Sequence, residues 1–179
     1  TDDDDIAASS TEDDAAGSLF GVALSLAAHS RDVETKAKRF AEAAGLPGDR
    51  ISDLALAGFL HDAGKADRRF QAWLQYGDPL GSDKADQVLA KSGRFLPAQA
   101  RETSGLPPNW RHEAFSVRLA LAHTRFADAR DPELVLWLVG VHHGYGRPFF
   151  PHADDEDRKP RILPPALDLP RELPSGCGP

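Results

Sequence analysis

The stretch AGFLHDAGKADRRFQAWL, residues 57 to 74, decides how this chain is read. Ile51, Leu54, Ala55, Gly58 and Phe59 lead along one side to His61 and Asp62, which predicts a helix from just after Asp49 to about Gly64 with its chemistry on the apolar face. Neighbouring residues on a helix project about 100° apart, so His61 and Asp62 face one cavity and offer it an imidazole nitrogen and a carboxylate. A carboxylate has two oxygens and can bridge two cations. Lys65, four residues after His61, falls on the same face one turn on, where its ammonium can approach a phosphate. Taken alone, the pair is better described as a capped helix end with a solvated acid. Phe70, Trp73 and Leu74 form a short helical turn whose rings belong to the core.

Working back from this stretch, Gly45, Pro47 and Gly48 separate it from an earlier helix that starts near Ser30 and carries Val33, Ala37, Phe40, Ala41 and Ala44 at helical spacing. His29 extends the apolar face of that helix, as a hydrogen-bonded core histidine or as a ligand. Phe20, Val22, Leu24 and Leu26 alternate with small or polar residues, the pattern of a short extended segment. Residues 1 to 17 hold seven acidic side chains and almost no large apolar ones, and are expected to be a disordered linker.

Working forward, a Gly/Pro/Asp loop follows around Gly77 to Gly81, and residues 82 to 108 show no regular pattern. Pro107, Pro108 and Asn109 start a helix expected from Trp110 to about Ala127, with Asn109 as its cap. His112 lies in the first turn, where the dipole disfavours imidazolium and favours the neutral, metal-binding ring. His123, further along, is expected at the surface or behind a ligand. Asp131 and Pro132 open another helix, Glu133 to His143, apolar all round and therefore expected to be central. It ends in His142 and His143 before Gly144. Burying two imidazoles is costly unless their nitrogens have partners, and a metal ion is an efficient one. Together with His61, Asp62 and His112, this second pair favours a metal site over two separately capped helix ends. Eight prolines from Pro148 onward exclude a long helix there, and His152 is given no role.

The formal net charge is −7, and the acidic first segment accounts for it, leaving a nearly neutral body. A stand-alone nucleic-acid binder usually carries a basic stripe, so any such substrate is expected to be delivered by something else. Cys177 is the single cysteine, which excludes an internal disulfide and a thiolate metal site. No apolar run approaches the ~18 residues that span a bilayer, and residues 1 to 16 lack the parts of a signal peptide, so a soluble cytoplasmic protein is expected. The fold expected from these elements is mainly α, with a short extended N-terminal segment and a Pro-rich irregular C-terminal tail. Three parts are expected: the linker 1–17, a metal-dependent domain 18–151 and the tail 152–179.

The stretches AAHSRDVETKAKRFA at 27–41, AGFLHDAGKADRRFQAWL at 57–74, RHEAFS at 111–116 and LVGVHHGYGRPFFP at 138–151 resemble, in order and context, the HD superfamily of metal-dependent phosphohydrolases. More narrowly, they resemble the HD nuclease domain of the CRISPR type I helicase-nuclease, in the subtype whose HD domain follows the helicase. FLHDAGK is common across the superfamily, whereas its combination with HHGYGRPFFP is more specific to this group. The resemblance implies a compact helical HD bundle and makes His29, His61, Asp62, His112, His142 and His143 metal ligands, with Asp62 bridging two ions and Lys65 beside the substrate phosphate. It further implies single-stranded DNA as substrate, a helicase domain, fused or separate, as partner, and a type I effector complex around them. The mostly nitrogen donor set suits two divalent transition-metal ions (manganese, iron, cobalt, nickel or zinc) rather than magnesium. Arg111 and Arg147 are candidates for neutralising phosphate. Tyr145 and Arg147 either line the strand's path or belong to a rigid loop shaped by Gly144, Gly146 and Pro148. The family pattern closes with one more Asp ligand, and Asp154, Asp155, Asp157 and Asp168 lie in coil-like sequence poorly suited to supply it. Two other readings stay open: an HD phosphohydrolase of nucleotides or cyclic dinucleotides, and a catalytically incomplete docking module for a helicase or effector.

Overall fold

The computed structural model describes residues 21–76, 88–108, 110–144 and 161–173. The fold is mainly helical. A two-residue strand β1 (Leu24–Ser25) pairs antiparallel with β2 (Leu89–Lys91), with Leu24 opposite Lys91. Helix α1 (Leu26–Ala43) begins directly after it, because the Ser25 hydroxyl accepts from the Ala28 amide at 3.2 Å and caps the first turn. The extended segment is thus shorter than the alternation of Phe20 to Leu26 suggested, and Leu26 belongs to the helix. At the other end Gly45, at φ +70°, lets the Gly45 and Leu46 amides reach back to the Glu42 and Ala41 carbonyls at 3.0 and 3.1 Å. These paired bonds satisfy carbonyls that the helix leaves open, and turn the chain into α2 (Gly48–Leu60).

Helices α1 and α2 form an antiparallel hairpin. Gly58 lies at a close contact between them: a Cβ there would lie 3.2 Å from both the Ala37 Cβ and the Val33 carbonyl oxygen. After α2 come a 3-10 turn (Ala63–Ala66), α3 (Arg68–Leu74), α4 (Ala98–Thr103), α5 (His112–Ala122), a second 3-10 turn (Thr124–Asp128) and α6 (Pro132–Val141). Strands β3 (Arg161–Ile162) and β4 (Glu172–Leu173) form a second antiparallel pair. Helices α2, α5 and α6 pack on one another, and the core runs from Leu26, Leu56 and Leu60 through Phe70 and Leu119 to Val135 and Val139.

Three sequence expectations change here. The helix expected from Trp110 to Ala127 is two elements, because His123 interrupts it. Its ring accepts from the Arg125 amide at 3.1 Å and bonds the Leu167 carbonyl at 2.8 Å. With Nδ1 accepting, Nε2 carries the hydrogen, so His123 is a buried structural histidine rather than a surface residue. The expected cap, Asn109, lies outside the described residues, and Arg111 stands at the N-cap position. The helix α6 begins as expected, with the Asp131 carboxylate accepting from the Leu134 amide at 3.1 Å and Pro132 at its first position. It is not central, however: Val135, Val139 and Gly140 are buried, whereas Trp137 is 60% exposed, so only one side faces the core. Within the Pro-rich C-terminal segment, residues 161–173 carry the short β3–β4 pair and are firmly seated. Leu163, Leu167, Leu169 and Leu173 join the core, and the Arg161 guanidinium donates to the buried Asp67 carboxylate at 2.6 Å.

Candidate metal centre

Helix α2 was expected to run to Gly64, but it stops at Leu60, and the reason lies in α5. Gly64 sits so close to the start of that helix that a Cβ would come within 2.1 Å of the His112 carbonyl oxygen, and its amide donates to Ser116 Oγ at 2.8 Å. The chain leaves the α-helix at Asp62 (φ −101°, ψ 9°) and tightens into the 3-10 turn, with Ala63 and Ala66 fully buried beneath α5. Lys65 is therefore related to Asp62 across the tight turn rather than to His61 along a continuous helix. Its amide donates to the Asp62 carbonyl at 2.9 Å and its ammonium lies 3.0 Å from Asp62 Oδ2.

The buried Asp62 carboxylate is the hub. Toward Oδ2 come His29 Nε2 from α1 at 3.2 Å, His61 Nε2 from the end of α2 at 3.4 Å and the Lys65 ammonium. Toward Oδ1 come His112 Nε2 from the start of α5 at 3.2 Å and His142 Nε2 from the end of α6 at 3.4 Å. His143 Nε2 completes this second side, 3.2 Å from His112 Nε2, which in turn lies 3.3 Å from His142 Nε2. Asp62, His112, His142 and His143 thus form one group able to hold a divalent ion, and His29, His61 and Asp62 form another. Helix ends and starts aim all five imidazoles at one carboxylate. Among the described residues no other carboxylate belongs to either group, and Asp168 is exposed in the Ala166–Leu169 turn.

The hydrogen-bond chemistry fits cations. His61 Nδ1 lies 2.7 Å from the Gly58 carbonyl oxygen, and His142 Nδ1 lies 2.7 Å from the Val139 carbonyl oxygen. Carbonyls only accept, so each Nδ1 carries a hydrogen, and the metal-binding form of each ring turns an Nε2 lone pair toward Asp62. Burial opposes ionisation of Asp62. The Lys65 ammonium first, and then the imidazoles of His112, His142 and His29 gathered around it, outweigh it and hold the carboxyl well below its ordinary range, so the group is an anion that only accepts. Lone pairs facing lone pairs across 3.2 to 3.4 Å repel unless a positive charge is shared among them. Each side has the donors to hold a divalent ion that would meet that need.

Several supporting residues were not visible in the sequence. Glu113, 4% exposed, places Oε2 3.5 Å from His112 Nδ1 and Oε1 3.5 Å from the Arg111 guanidinium. Arg111 is thus engaged beside the centre. Gln71 is fully buried: its amide nitrogen donates to the Lys65 carbonyl at 2.6 Å and to the Leu89 carbonyl at 2.9 Å, while its oxygen accepts from the Leu89 amide at 2.8 Å. It ties the turn that carries Lys65 to β2. In sequence it is one polar residue inside FQAWL, with nothing to distinguish it from a solvated position. The Tyr145 and Arg147 expectations lie outside the described residues.

A helical bundle that gathers five imidazoles and a lysine around one buried carboxylate defines a metal-centre protein of the HD type. Residues 12–165 match the family described as Cas3, HD domain, and the chain belongs to it: the HD nuclease domain found in the helicase-nucleases of CRISPR type I systems. No curated protein and no solved structure matches the chain.

Proposed function

We propose that this domain is a metal-dependent nuclease that hydrolyses phosphodiester bonds of single-stranded DNA, with the strand supplied by a helicase, fused or separate, in a CRISPR type I effector complex. The observation that carries the reading is the division of Asp62, with one carboxylate oxygen turned to each histidine group. Family membership supports the substrate class, and the nearly neutral body supports delivery by a partner. The ligands are His29, His61 and Asp62 for one ion and Asp62, His112, His142 and His143 for the other, suited to manganese, iron, cobalt, nickel or zinc. Bound there, such ions supply Lewis-acid activation of water and offset charge on the reacting phosphate.

The chain's own residues do the rest. Asp62 stays anionic down to acid pH and fixes the spacing of the two groups. The Gly58 and Val139 carbonyls lock the rings of His61 and His142, so neither reorganises on loading. Lys65, buried at the floor of the centre, neutralises a phosphate oxygen, and Arg111 adds charge at its margin. The test is cleavage of an end-labelled single-stranded oligonucleotide in manganese, with elemental analysis of the same preparations. Wild type is expected to cut and to carry metal, and Asp62→Ala to do neither. Equal cleavage by both proteins would refute the reading.

A further inference from the structure

The two groups that share Asp62 are not equivalent. On the Oδ1 side three imidazoles converge, and one of them, His112, has the Glu113 carboxylate behind its Nδ1 at 3.5 Å. Such a partner raises the basicity of a ligating ring. On the Oδ2 side there are two imidazoles and, nearer to the oxygen than either, the Lys65 ammonium at 3.0 Å. That ammonium is a resident cation. It stands at the oxygen an ion of the His29 and His61 group must share, and it offsets the same negative charge. A divalent ion arriving there meets a like charge in a buried site, where repulsion is weakly screened.

The backbone that carries the ammonium is held independently of it. The backbone of Lys65 is held at both ends, its amide by the Asp62 carbonyl and its carbonyl by Gln71. The stem is a flexible four-carbon chain, and an incoming phosphate oxygen offers the ammonium a new anionic partner.

We propose that the two ions load in order: the Asp62, His112, His142 and His143 group fills first, while Lys65 guards Asp62 Oδ2 and yields the His29 and His61 group to a second ion only when a phosphate draws its ammonium away. The proposal rests on the metal-dependent reading above and adds a sequence of loading and a role for Lys65 in coupling metal to substrate.

Calorimetric titration of the metal-stripped chain with manganese, with electron paramagnetic resonance to detect paired ions, tests it. Wild type is expected to bind in two steps, the second weaker by roughly tenfold or more. Lys65→Met, which keeps the stem and removes the charge, tightens the second step by a similar factor and leaves the first unchanged. Lys65→Gln does the same. Inorganic phosphate tightens the second step in wild type and not in either variant, and His29→Ala abolishes that step alone. Two equal steps in wild type, or a second step unchanged or weakened by both Lys65 substitutions, would overturn the ordering while leaving the metal-dependent reading intact. A wild-type chain that takes up no manganese would overturn both.

Discussion

Glu113 shows what a single buried carboxylate contributes next to a candidate ligand. It lies behind His112, the imidazole that touches Asp62, His142 and His143 together, whereas His61 and His142 lean on backbone carbonyls. Outer partners of this kind are worth about 10- to 100-fold in metal affinity. Glu113→Gln is therefore expected to weaken the tighter manganese step by about that factor, while the thermal midpoint of the metal-free protein stays near wild type; an unchanged isotherm would contradict this. The residues converging on Asp62 were legible because each sits in a recognisable peptide at a predicted helix end: His29, HDAGK, RHE and HHG. Glu113 and Gln71 were not. Their roles depend on burial, and one polar letter inside an apolar peptide does not reveal whether it faces water or a backbone carbonyl.

Elements that end on local chemistry could be read, and those that end on a neighbour could not. Gly45 closes α1 and Asp131 with Pro132 opens α6, as their residue types require. The end of α2 follows instead from the nearness of α5, which no feature of residues 57 to 66 encodes except the smallness of Ala63, Gly64 and Ala66. Gly64→Ala forces a methyl group into the His112 carbonyl, so α5 must move and take its ligand along. A loss of about 3 kcal/mol or more is expected in urea unfolding, with manganese uptake lost as well. A wild-type urea midpoint for this variant would place the contact elsewhere. The start of α6 carries a pH dependence. The Arg50 guanidinium, and after it the Leu134 amide, hold the Asp131 carboxyl below its ordinary value. Its folded pKa is thus lower than its unfolded one, about 4. The stabilisation is complete above that value and is lost as pH falls through the folded pKa. Asp131→Asn removes the ion pair, so its urea midpoint should trail wild type by a constant margin from about pH 5 to 7, a margin that narrows below about pH 4 and closes as pH falls through the folded pKa. A margin that did not narrow at all as pH fell below the unfolded value would assign the effect to another group.

Over the whole molecule, periodicity showed that the chain is a helical bundle, because amphipathic spacing survives whatever the helices pack against. It did not show how far each helix lies from the centre. The helix α6 is apolar all round in sequence, yet the bundle leaves Trp137 in solvent. Nor did proline content reveal that residues 161–173 seat four leucines in the core. One consequence of that seating concerns α5. Its first residue, His112, stands in the metal centre, and the residue just past its end, His123, grips the Leu167 carbonyl. The helix is in effect a strut between the candidate metal centre and the C-terminal segment, and linkage through a strut is reciprocal. If manganese slows amide hydrogen exchange at Leu167 and Leu169, then His123→Ala, which releases the turn, must weaken manganese binding by the same free energy. Exchange mass spectrometry and the metal isotherm measure the two sides of that equality independently. Removing the grip at one end of α5 is then felt as a looser hold on metal at the other.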